Sequence, residues 1–207
     1  MTHVLDKYEA IIDIKQNDQP VIFLFHGTGA DNMDLIPIAK HLDTDSSLIS
    51  INGNVFVNGA RRYFDRNERG VDLADLKTRS LELAEFLQAV IEKENITHRK
   101  KVAIGYSNGA NIIIGMLQTS SKLFDGVGLL HGAPYLALPF QEVKGLNVYV
   151  SLGENDQMIN PADTMKMVQQ FDEGDANVTV FSHQEGHRLT TQEVDALKSW
   201  YEGIHKV

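Results

Sequence analysis

Gly105-Tyr106-Ser107-Asn108-Gly109 follows an apolar run, Val102–Ile104, that reads as a strand, and precedes a small and apolar run, Ala110–Leu117, that reads as a helix. A serine in G-x-S-x-G between strand and helix is held on a sharp turn, where flanking glycines keep the neighbouring chain clear of it. Such a turn lifts Ser107 Oγ above the sheet, where it can act as a nucleophile; an ordinary glycine-rich turn is the plain alternative. No G-x-G-x-x-G pattern is present here, so cradling a phosphate is the poorer use of this turn.

A serine hydroxyl needs an adjacent imidazole to take its proton, and the imidazole needs a carboxylate to fix its tautomer. For a serine on this kind of turn the partners follow in the order acid, then base. Eight histidines are available, and only His183 and His187 lie between the last apolar run, Val178–Phe181, and the helical segment Thr191–Ile204. His187 is the expected base, because Gly186 before it gives a loop able to turn back over Ser107, whereas His183 lies close to the strand. The expected acid is Asp156, in Gly153-Glu154-Asn155-Asp156 after the run Val148–Leu152. Glu154 and Asp163 are its rivals, the latter in a first helical turn where a carboxylate can simply complement the helix dipole.

Acyl transfer also needs donors for the developing oxyanion. The amide of Asn108 is one expected donor, and the amide of Thr28, in His26-Gly27-Thr28-Gly29 after the run Val21–Phe25, is the other. His26 and His131 each follow a strand and precede a glycine, as site-lining or loop-anchoring residues. Arg61, Arg62, Arg66 and Arg69 cluster in an otherwise acidic chain. Solvated salt bridging is the ordinary role of such a cluster, and the sharper one is recognition of an anionic acid by Arg61 or Arg62.

The elements needed to hold these residues are legible as periodicity. The runs Val21–Phe25, Leu48–Ile51, Val102–Ile104, Val127–Leu130, Val148–Leu152 and Val178–Phe181 are mostly continuously apolar and not alternating, as expected of strands covered on both faces. Helical spacing is clearest from Asp72 to Glu94 and is also read at Met33–Leu42, Asn108–Ser120, Pro161–Phe171 and Thr191–Ile204. Strand and helix in alternation predict an α/β fold with a mostly parallel sheet and ligands at the strands' carboxyl ends. Ala10–Gln16 is expected to add an antiparallel edge strand, and Asn52–Gly70 to form a long irregular loop.

At 207 residues the chain has room for one domain, 1–207. With no cysteine it has no thiolate nucleophile, disulfide or Cys-ligated zinc. A net charge of -9 argues against nucleic acid as a partner. No apolar run reaches bilayer length and the amino terminus lacks a secretory pattern, so no membrane insertion and a cytoplasmic location are expected.

Together, His26-Gly27-Thr28-Gly29, Gly105-Tyr106-Ser107-Asn108-Gly109, Gly153-Glu154-Asn155-Asp156 and Gly186-His187 resemble the phospholipase/carboxylesterase family of α/β-hydrolases, relatives of acyl-protein thioesterases and dienelactone hydrolases. Asn58-Gly59-Ala60-Arg61-Arg62-Tyr63-Phe64 is similar to a loop of its small bacterial carboxylesterases. Asn108 stands where many members carry glutamine, which leaves the amide in place. The resemblance implies an α/β-hydrolase fold with a minimal cap or none. It also implies a serine esterase acting on small or short-chain esters or thioesters, with no cofactor or metal, and a homodimer. Acyl transfer to an alcohol, carbon–carbon bond hydrolysis and a non-catalytic binding role are the alternatives the same fold can host.

Overall fold

The computed structural model describes residues 4–68 and 70–205. Its centre is a seven-stranded sheet in the order β1-β3-β2-β8-β9-β10-β11. The strands are β1 (Ala10–Asp13), β2 (Val21–Phe25), β3 (Ser47–Ile51), β8 (Lys101–Tyr106), β9 (Gly126–Leu130), β10 (Asn147–Gly153) and β11 (Asn177–His183). All neighbours pair parallel except β1, which runs antiparallel along β3. The α/β fold with a mostly parallel sheet expected from the sequence is the one observed.

In the inner strands side chains alternate between two covered faces, which is why those strands read as largely unbroken apolar runs, whereas the edge strands β1 and β11 are partly exposed. Phe23, Phe25, Ala103, Val127, Leu129, Val148 and Val150 join the core beneath α2 (Leu73–Lys93), α3 (Asn108–Thr119) and α4 (Pro161–Glu173). Ile22, Leu24, Val102, Ile104, Leu130 and Tyr149 join the core beneath α1 (Ile36–Leu42) and α5 (Thr191–His205). Asp72 caps α2 by accepting from the amides of Ala74 and Asp75, the usual service of an N-cap aspartate.

The stretch from Asn52 to Gly70 is more ordered than an irregular loop. It holds two small hairpins, β4 (Val55–Val57) with β5 (Ala60–Arg62), and β6 (Arg66–Asn67) with β7 (Gly70–Val71). Asn58 and Gly59 turn the first with φ of 51° and 79°, the paired positive dihedrals that tight hairpins draw from Asn-Gly. Between β9 and β10 the chain forms no helix, so hairpins and loops alone surround the carboxyl end of the sheet. No helix among the described residues is long and apolar enough to cross a membrane.

Candidate active site

Ser107 closes β8 with φ 52° and ψ -111°, a backbone conformation that costs an L-residue energy and persists because its surroundings fix it. The two flanking glycines explain how. A Cβ on Gly109 would lie 1.9 Å from the carbonyl oxygen of Phe25, and one on Gly105 would lie 2.5 Å from Gly109. Only glycine lets the turn sit this close to β2. The Ser107 amide donates to the Leu130 carbonyl, tying the turn to β9 as well.

Ser107 Oγ stands 2.8 Å from His187 Nε2, and His187 Nδ1 stands 2.6 Å from an Asp156 carboxylate oxygen. Three side chains far apart in sequence thus form one hydrogen-bonded line. Backbone contact brings the last two loops together. A Cβ on Gly153 would lie 2.2 Å from the Gly186 carbonyl, so the turn after β10 and the loop after β11 touch at a glycine, and His187 follows directly. Tyr106 steadies that loop by donating its hydroxyl to the His187 carbonyl. Glu154 instead bonds Ser182 and Gln184, Asp163 pairs with Lys166, and neither joins the line.

Asp156 is 8% exposed. Burial alone would raise its pKa, but the Ile159 amide, His187 and the Met158 amide outweigh burial and hold it below the ordinary carboxylate range. The amide of Thr28 donates to no protein group among the described residues. Asn108, first residue of α3, likewise has no carbonyl one turn back within the helix. Its side-chain oxygen accepts from the Tyr63 amide at 2.8 Å and so fastens the segment after β5 to the turn.

Both extra histidines are structural in their surroundings. His26 is buried, with Nδ1 donating to the Gly27 carbonyl at 2.7 Å and Nε2 accepting from the Gly53 amide at 3.0 Å. Burial lowers its pKa, in keeping with this neutral, fully satisfied ring. No ring nitrogen is left for a substrate. His131 is 1% exposed, with Nδ1 3.3 Å from Asp156 and Nε2 3.3 Å from Glu193, whose side chain is fully buried. Of the two roles expected from the sequence, site-lining and loop-anchoring, the contacts of both histidines fit the second, since each ring faces inward onto polar partners.

Glu193 is the residue that sequence reasoning missed. Its carboxylate also accepts from the Ser151 hydroxyl, the Thr190 amide and His183. Burial alone would push His131 down, but hydrogen bonding to Glu193 and its charge, with Asp156 adding, raise it instead. The same contacts hold Glu193 down against its burial. His131, His183 and Glu193 bring three possible metal-binding atoms together. However, His183 Nδ1 accepts from the Glu185 amide, which leaves the ring proton on Nε2, pointing at Glu193. That tautomer suits a hydrogen-bonded cluster and not a ligand set.

Among the described residues none of Arg61, Arg62 and Arg66 pairs with a carboxylate, and Arg69 lies outside them. Arg61 donates to the Gly53 carbonyl and lies over the Phe56 ring. Arg62 is buried, donating to Thr28 Oγ1 at 2.8 Å and to the Phe64 carbonyl.

Comparison with known proteins identifies the family. A model of the phospholipase/carboxylesterase family matches residues 6–205. MhqD of Bacillus subtilis (strain 168), named as a hydrolase, is 30% identical over 189 residues, covering 90% of this chain and 94% of its own. The Bacillus cereus carboxylesterase superposes with a TM-score of 0.90 at 33% identity, over 95% of this chain and 94% of that one. YahD, solved with malic acid, gives a TM-score of 0.89 at 25% identity, over 95% and 99% of the two chains. The chain belongs to the phospholipase/carboxylesterase family of α/β-hydrolases, and it is an enzyme of the hydrolase class.

Proposed function

We propose that the protein hydrolyses small carboxylic esters, and thioesters of similar size, through an acyl-enzyme on Ser107. One observation carries this reading: a serine held at positive φ with its Oγ 2.8 Å from an imidazole that is itself 2.6 Å from a buried carboxylate. His187 takes the proton of Ser107 as Oγ attacks the acyl carbonyl, and Asp156 keeps the other ring proton on Nδ1 and stabilises the imidazolium. The amides of Thr28 and Asn108 hold the oxyanion, as donors with no competing protein acceptor. His187 then protonates the departing alkoxide or thiolate. A water molecule, deprotonated by His187, releases the acid from Ser107 and returns the proton.

YahD was solved with malic acid, and acyl groups of about that size are the scale we propose for this chain. Replacing Ser107 with alanine is expected to abolish turnover of p-nitrophenyl acetate and labelling by a fluorophosphonate probe. Persistent turnover in the pure variant would remove Ser107 from the chemistry. Labelling at Ser107 without hydrolysis of any ester or thioester would support one of the other reactions this fold hosts.

A further inference from the structure

Arg62 differs from the other buried arginine, Arg99, whose guanidinium donates to five oxygens, those of Lys15, Asn17, Gln19, Pro20 and Ser47. Arg62 is 8% exposed, yet no carboxylate lies within 4 Å of it among the described residues. Of the five N–H donors of a guanidinium, two are used, one on the Phe64 carbonyl and one on Thr28 Oγ1. A buried charge is normally paired or neutralised, and arginine does not lose its proton at ordinary pH. Here burial and the neighbouring Arg66 charge both act against the charged form, and Tyr135 and then Asp65 offset them only in part.

Arg62 borders open space. A cleft of about 700 Å³ is lined by Thr28, Asn58, Arg62, Arg66 and Glu68, among others. Thr28 therefore belongs to two sites at once: its amide is the donor assigned to the oxyanion, and its hydroxyl touches the Arg62 guanidinium. The segment is also rigid. Residue 63 donates its amide to Asn108 beside the nucleophile, and a Cβ on Gly53 would lie 2.2 Å from the Arg62 carbonyl. Arg62 is thus held between Gly53 and Asn108, the latter next to the nucleophile. Of the other charges around the cleft, Arg66 and Glu68 are exposed, and Asp65 is exposed with its carboxylate accepting from the Arg66 amide.

We propose that Arg62 binds a carboxylate carried by the substrate, so that the enzyme selects half-esters of short dicarboxylic acids, or acyl esters of hydroxy acids, over neutral esters of the same size. The proposal rests on the ester-hydrolase reading of Ser107 and adds the class of substrate. A planar guanidinium with adjacent free N–H groups matches a carboxylate in two-point geometry. Bound anion would give the buried charge its missing partner while setting the scissile carbonyl near Thr28.

The test compares kcat/KM for pairs that differ only in charge. Monoethyl succinate against ethyl succinamate places the carboxylate on the acyl side, and acetoxyacetate against 2-acetoxyacetamide places it on the alcohol side. A charge-assisted hydrogen bond favours the charged member of one pair by about 10- to 100-fold in the wild type. In Arg62→Gln that ratio is expected to fall to near one, whatever common loss both substrates suffer through Thr28. In Arg66→Gln, an exposed neighbour, most of the ratio should survive.

No preference in either pair, or a preference that survives Arg62→Gln, overturns the proposal. Succinate binding to the wild type, read by calorimetry, requires neither turnover nor a folded variant: succinate should bind where succinamide does not. Equal binding of the two, or of neither, counts against the cleft. Failure of every ester together with no Ser107 adduct would instead strike the hydrolase reading.

Discussion

Replacing Glu193 with glutamine tests the charge network behind the acid most directly. The glutamate is fully buried and receives His131, His183, the Ser151 hydroxyl and the Thr190 amide. Glutamine keeps the size and can keep the Thr190 contact, but it leaves the His131 imidazolium with Asp156 as its only anion. Breaking a buried pair by removing one charge typically costs about 3–5 kcal/mol, and a chain of this size loses about 2–4 °C of melting temperature per kcal/mol.

A fall of about 6–20 °C at pH 6 is therefore expected. Its pH dependence follows from the two shifts. Glu193 is held below its ordinary value, so its contribution is present above the unfolded value, about 4.3, and disappears as pH drops through the lower folded one. His131 is raised, so its contribution is complete below about 6.5 and disappears as pH climbs through the higher folded value. The pair therefore stabilises most between about pH 4.3 and 6.5 and fades on the alkaline side. Melting curves of both proteins from pH 4 to 9 check this, with the gap between them expected to narrow above pH 7. A gap that is constant across that range, or smaller than about 2 °C at pH 6, would refute an ionised pair at this position.

Asp156→Asn should leave the fold in place and lower kcat by about four orders of magnitude, the effect seen when a triad imidazole loses the partner that sets its tautomer; p-nitrophenyl acetate kinetics beside a melting curve give the answer, and a loss under tenfold would contradict the role assigned to Asp156. Gly109→Ala forces a methyl to within 1.9 Å of the Phe25 carbonyl oxygen. A destabilisation of about 3 kcal/mol, the upper end for overpacked sites, is expected, together with slower fluorophosphonate labelling. Wild-type melting and labelling would show that the turn can retreat from β2.

Most of the sheet was legible because its inner strands are covered on both faces, and burial on both faces writes a largely continuous apolar run into the chain. All six runs fall inside observed strands, and Asp72 to Glu94 brackets α2 together with its N-cap. The hairpins between Asn52 and Gly70 escaped because their strands are two or three residues long, too short for a period to emerge. A local signal was nevertheless present: Val57-Asn58-Gly59-Ala60 carries the dipeptide that a two-residue hairpin turn requires. Read that way, the turn predicts β4 pairing with β5 and takes Arg61 and Arg62 off a flexible loop.

The chemistry-bearing residues divide along the same line. Ser107, Asp156 and His187 were reachable because each follows a strand, and the carboxyl edge of a parallel sheet gathers whatever follows its strands. Glu193 was not reachable in the same way, although Thr190-Thr191-Gln192-Glu193 has the form of a capping box. That pattern predicts a helix start, and Thr190 and Glu193 do exchange the two reciprocal bonds. It cannot say that the capping carboxylate will be turned under β10 and set against a histidine that follows β9. Charge in a sequence reads as solvated by default, since most charged side chains are. Glu193 and Arg62 depart from that default for one shared reason: each is carried inward by backbone fixed through other residues, Glu193 by the start of α5 and Arg62 by the hairpin pinned to Gly53 and Asn108. Glu193 meets its counter-ion within the chain. Arg62 meets none among the described residues and opens instead on a cleft beside the oxyanion loop, where a negatively charged substrate can complete the pair.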